Sequence, residues 1–162
     1  MRYKAELKWG IMLFVATIVW VLFEKLMGWH SDNIDQHAVY SALYDVVFVL
    51  IFAFAYKSRR RQVSMENFQW KDRLTLGLGI TLVITILSPL TQAIIHKMIS
   101  PMFFENIIKL AVDNDLMSIQ EAEAKFNLPN YIVENLIGTF ILGLICTLAL
   151  SFFFRNRNVE TS

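Results

Sequence analysis

Four apolar stretches, 9–29, 38–56, 74–95 and 137–154, alternate with short segments in which the charged residues collect. Each stretch is near the ~20 residues a helix needs to cross a bilayer. The pattern predicts an all-α integral membrane bundle of four transmembrane helices, at about 4–28, 37–57, 73–97 and 131–155, forming a single membrane domain over 1–162. Roughly 35 residues between the third and fourth stretches are too polar to span. There Pro101 can open a helix, with Phe103, Phe104, Ile107, Ile108 and Ala111 on one face. Ser118 and Glu121 have capping-box spacing and start a second short helix that ends near Asn127. The expectation is an external helical hairpin over about 101–128, its first arm lying against the membrane or capping the bundle.

Within the third stretch, Gly77, Thr81, Thr85, Ser88, Gln92 and His96 recur every three or four residues. That spacing puts them on one helical stripe. In the fourth, Asn135, Thr139, Gly143, Thr147 and Ser151 step by four. Lipid offers no hydrophobic drive for helix association, so small and polar side chains mark the packed seam. Gly77, Thr81, Thr85, Ser88, Thr139 and Gly143 are therefore expected to face protein. Pro89 removes a helical donor inside the third stretch and favours a kink.

Composition agrees with a membrane setting. The hydrophobic fraction is 56%, above the ~45–50% of soluble domains. The net charge of +1 conceals a polarity. Eleven of the fifteen basic residues fall at one end of the predicted helices: Arg2, Lys4 and Lys8, then Lys57, Arg59, Arg60, Arg61, Lys71 and Arg73, then Arg155 and Arg157. Under the positive-inside rule this places both termini in the cytoplasm and the hairpin outside. A cleaved signal peptide does not fit, because Glu24 and Lys25 follow the first apolar core with no small-x-small site. The single Cys146, inside the fourth stretch, offers no intramolecular disulfide.

The candidate chemistry lies in the outer halves of the helices. Glu24, His37, Asp45, Gln92, His96 and Glu134 form a candidate buried polar cluster, with Asn135 beside it and His30 just outside. Intramembrane carboxylates often mark ion or proton paths, but here pairing with Lys25, Lys97 or backbone to fix helix register is the favoured expectation. His37, Ser41 and Asp45 step by four and, with His96 and Glu24, offer a histidine–carboxylate set for a metal or a proton relay. No short two-histidine motif supports a metal, so neither a metal centre nor a cofactor is expected. Gly77 and Gly79 form a lone G-x-G without βαβ context, which excludes a nucleotide loop. No Ser–His–Asp or Cys–His signature has supporting context, and no basic tract with aromatics indicates nucleic acid.

Three runs carry a resemblance. Residues 88–92 (Ser-Pro-Leu-Thr-Gln) with His96, residues 99–106 (Ile-Ser-Pro-Met-Phe-Phe-Glu-Asn), and residues 121–128 (Glu-Ala-Glu-Ala-Lys-Phe-Asn-Leu) resemble the bacterial membrane proteins of the domain of unknown function 4199. Residues 22–30, from Leu22 to His30, resemble that family's end of helix one. The resemblance implies four helices and a bacterial inner membrane, and supplies no activity. The functional expectation is a non-enzymatic structural or interaction protein. Its partners would be the lipid bilayer and, through the hairpin, a second copy or another membrane protein. The alternatives are a small oligomeric proton- or ion-coupled transporter or channel using the outer-half polar cluster, and a membrane enzyme acting on lipid or isoprenoid chemistry from the outer half.

Overall fold

The computed structural model describes residues 4–63 and 68–155. Arg2 and Arg157, used above for the charge count, lie outside the described residues. Helix α1 runs Lys4–Leu26. A turn at Gly28 leads to a single 3₁₀ turn, Ile34–Gln36, then α2, His37–Ser41, and α3, Leu43–Gln62. Helix α4, Trp70–Ile94, passes through Pro89 and continues as a π-helical turn, Ile95–Ile99. Helices α5, Phe103–Asp113, and α6, Ile119–Lys125, make the hairpin, and α7 is Leu128–Phe153. Four spans are long and apolar enough to cross a membrane: Lys4–Leu26, Ile34–Gln62, Trp70–Ile99 and Leu128–Phe153. The chain is an all-α membrane bundle.

The spans differ from the expected limits for local reasons. The second extends to Gln62 because Lys57 to Gln62 are mostly good helix formers that can continue into water. The third starts at Trp70, where Asp72 accepts a hydrogen bond from the Gln69 N–H at 3.2 Å. The fourth starts at Leu128 because Asn127 caps it, its Oδ1 accepting from the Asn130 N–H at 3.1 Å, with Pro129 in the first turn.

Helix α4 is the hub, packed most extensively on α7 and next on α1. Its seam with α7 is built from reciprocal pairs. A Cβ on Gly77 would meet Thr147 and Tyr56, and one on Gly143 would meet Thr81. Ser88 and Gln92 are also buried, whereas Thr85 and Thr139 are half-buried. On α1, Gly10 and Glu6 face Val83 and Gly79 of α4 with the same close approach. The opposite faces carry Leu82, Ile86, Ile145 and Phe153, with Ile86 75% exposed, as contact with lipid tails requires.

The bundle is packed through its middle. Leu13, Phe48, Phe52, Ile80 and Cys146 fill the centre. Beneath them the Tyr56 hydroxyl donates to the Arg73 carbonyl at 2.9 Å and lies 3.1 Å from Ser151 Oγ. Arg73 donates to the Phe68 carbonyl at 2.7 Å, so its charge is anchored under the core.

Candidate functional site

The polar cluster lies beneath the hairpin, and Glu24 is at its centre. Its carboxylate is 2% exposed in the last turn of α1. Trp20, one turn earlier, donates Nε1–H to Oε1 at 2.8 Å, and the Ser41 hydroxyl donates to the same oxygen at 2.7 Å. The other oxygen faces His30 Nε2 at 3.2 Å. His30 reaches back only because Gly28 adopts φ +76°, a conformation open to glycine at little cost. The turn is tied by the Trp29 N–H to the Glu24 carbonyl at 3.1 Å and by Asn33 Nδ2 to the Met27 carbonyl at 3.1 Å.

Three histidines surround Phe103, the first residue of α5. Ring centroids of His30, His37 and His96 lie 5.2, 4.9 and 5.1 Å from that of Phe103. Each histidine has a fixed polar neighbour. His30 Nδ1 is 2.7 Å from Ser100 Oγ, and His37 Nδ1 is 3.0 Å from Ser41 Oγ. His96 Nε2 is 3.1 Å from Gln92 Oε1. An amide oxygen only accepts, so Nε2 of His96 carries the proton and Nδ1 a lone pair. That Nδ1 is buried without a hydrogen-bond partner among the described residues. Phe104 stacks on His96 at 4.3 Å.

The hairpin is held over this cluster. Asn106 Nδ2 donates to the His30 carbonyl at 2.8 Å, and Lys25 Nζ donates to the Ile99 carbonyl. Of the two placements expected for the first arm, the structure has it capping the bundle. Beneath it lies a cavity of about 240 Å³, lined also by Thr17, Tyr44, Asp45, Tyr131 and Asn135. A water in bulk occupies about 30 Å³, so several waters or a small solute fit. Thr17 Oγ1 and Tyr44 OH, hydrogen-bonded to each other at 2.6 Å, form part of its lining and lie 2.9 and 3.2 Å from the Leu13 carbonyl. A second hollow of about 510 Å³ shares Tyr44, Asp45, Tyr131 and Asn135 and extends to Glu134 and Thr139, between α3 and α7. Ser88 crosses from α4 to donate to Asn135 Oδ1 at 2.9 Å.

Of the six residues grouped from sequence, Glu24, His37, Gln92 and His96 converge on the cavity. Asp45 lines it but is exposed. The stripe of His37, Ser41 and Asp45 assumed one continuous helix. An i→i+3 bond, Asp45 N–H to the Ala42 carbonyl at 3.1 Å, tightens the chain there and shifts the helical phase. Glu134 is exposed and lines only the second hollow. It is one position, about 100°, around α7 from Asn135, which faces Ser88. Sequence reasoning left His30 outside the cluster and passed over Ser100, Trp20 and Phe103. Gly28, two residues before His30, was the one available signal that the chain turns back there.

The ligating atoms of Glu24, His30 and His37 all lie within 4.8 Å of one another, a spacing that suits a shared cation or a small polar solute. No curated protein and no solved structure matches the chain. A family profile described as a protein of unknown function, DUF4199, matches residues 8–156, nearly the whole described bundle, and the chain belongs to that family.

Proposed function

We propose that this is a non-enzymatic multi-pass protein of a bacterial inner membrane that holds a small polar ligand or ion in a chamber open to the outside. Both termini are then cytoplasmic and the α5–α6 hairpin is external, because the basic residues collect at the opposite end. The observation that carries the reading is the buried Glu24 carboxylate ringed by Trp20, Ser41 and His30 beside a cavity. A carboxylate held in the membrane only for helix register needs partners and no adjoining space. The packed centre, from Leu13 through Phe52 to Tyr56, favours binding over passage across the bilayer.

The test is accessibility. Gln92→Cys, in a Cys146→Ala background, should react with a membrane-impermeant thiol reagent added outside intact cells. It should resist the same reagent added to the cytoplasmic face of inverted vesicles. Labelling from the cytoplasmic face alone, or from neither face, overturns the reading.

A further inference from the structure

We propose that the chamber binds one divalent first-row transition-metal ion through Glu24, His30 and His37. The assignment rests on the outward-chamber reading and names its ligand. Two neutral imidazoles and one carboxylate form a donor set that suits Zn²⁺ and its neighbours, whereas Mg²⁺ and Ca²⁺ prefer oxygen alone. The three ligating atoms already lie within 4.8 Å of one another, and Glu24 and His30 are almost wholly buried.

The surrounding contacts are those that orient metal ligands. A ligating histidine is usually fixed by a hydrogen bond at its other ring nitrogen. Ser100 Oγ stands 2.7 Å from His30 Nδ1, which leaves Nε2 directed at Glu24. Ser41 Oγ stands 3.0 Å from His37 Nδ1. Trp20 and Ser41 both donate to Glu24 Oε1, and Oε2 faces His30 Nε2 at 3.2 Å, where a cation would sit between the two in place of their hydrogen bond. A buried carboxylate is costly to hold, and a divalent ion would offset that cost.

A second observation points the same way. His96 lines the same cavity, and its Nδ1 lone pair is buried with no donor facing it among the described residues. Three protein ligands leave a fourth position for water or an exchangeable ligand. A metal-bound water on the cavity side would supply the donor that His96 lacks.

The test is metal uptake by the whole purified protein in lipid nanodiscs, with Co²⁺ as spectroscopic probe and Zn²⁺ as competitor. About one Co²⁺ per chain should bind, with visible bands of a four- or five-coordinate site, and Zn²⁺ should displace it while excess Mg²⁺ does not. Ser100→Ala should weaken binding by about 10–100-fold. His30→Asn and His37→Asn should weaken it further, with Leu82→Ala as an unaffected control. Should His30→Asn fail to fold, Ser100→Ala and His37→Asn still carry the test. Folded protein that takes up no Co²⁺ or Zn²⁺, or takes it up equally in the histidine variants, overturns the metal. If Gln92→Cys is nevertheless labelled from outside, the chamber stands without the metal. If it is not, the chamber reading fails as well.

Discussion

The hydroxyls of Thr81 and Thr147 lie 3.4 Å apart across the α4–α7 seam, each bonded to the carbonyl four residues back, of Gly77 and Gly143. Each threonine also fills the space above the other helix's glycine. Gly77→Leu should therefore destabilise the bundle by about 1–3 kcal/mol or more through overpacking. Leu82→Ala and Ile86→Ala, on the exposed face, should cost much less, because lipid can refill the space. Thr85 breaks the pattern: its Oγ1 is buried without a partner among the described residues. Thr85→Val should be neutral or stabilising by up to about 1 kcal/mol. Steric-trapping unfolding in bicelles ranks the four variants, and equal losses at Gly77 and Leu82 would contradict the seam.

Tyr56 closes the basic end of the core. Its hydroxyl reaches the Arg73 carbonyl, the Thr147 carbonyl and Ser151 from one buried position. Tyr56→Phe keeps the ring packing and removes the polar contacts. The expected loss is about 0.6–2 kcal/mol, the range for membrane hydrogen bonds. An unchanged unfolding midpoint would mean that these contacts contribute nothing net.

The hairpin carries a titratable cap. The Ser118 hydroxyl and backbone N–H donate to Glu121 Oε2 at 2.7 and 2.9 Å, and hold that carboxyl below its ordinary range. A folded pKa below the unfolded one gives stabilisation that is complete above the unfolded value. It is lost as pH falls through the folded value. The start of α6 should thus loosen only in acid. Ser118→Ala should move the Glu121 titration, followed by carboxyl NMR, upward toward the usual carboxylate range. A midpoint that stays put would remove the hydroxyl as the cause.

Orientation has a direct check. Cysteines placed after Asp32 and after Asp113, in the Cys146→Ala background, should both label from outside the cell. Cytoplasmic labelling at Asp113 would invert the proposed topology.

The four long apolar helices were legible because apolar length is a one-dimensional signal. The Gly77–Thr81–Ser88 seam was legible because helical spacing projects onto a face. Half of the site was legible for the same reason: Gln92 and His96 share the stripe of α4. The other half depended on turns. The left-handed Gly28 brings His30 under Glu24, and the tight turn at Ala42 takes Asp45 out of line with His37. Neither event leaves a periodic trace. Phe103 was read as part of an amphipathic face, and only three-dimensional packing makes it the common wall of three histidines.

The π turn at Ile95–Ile99, closed by the Ser100 N–H on the Ile95 carbonyl at 2.7 Å, amounts to one residue more than an α-helix would use. Removing an exposed residue such as Met98 would restore ordinary winding and preserve every buried side chain of α4. Ser100 would then bond the Ile95 carbonyl as an ordinary α-helical i+4 residue, and the widened turn from which the chain leaves for His30 and the hairpin would be lost. The backbone thus carries one extra residue, absorbed locally, at the point where α4 hands the chain to the site. Chain length at this point is a functional variable in its own right, as consequential as the identity of any residue around Glu24.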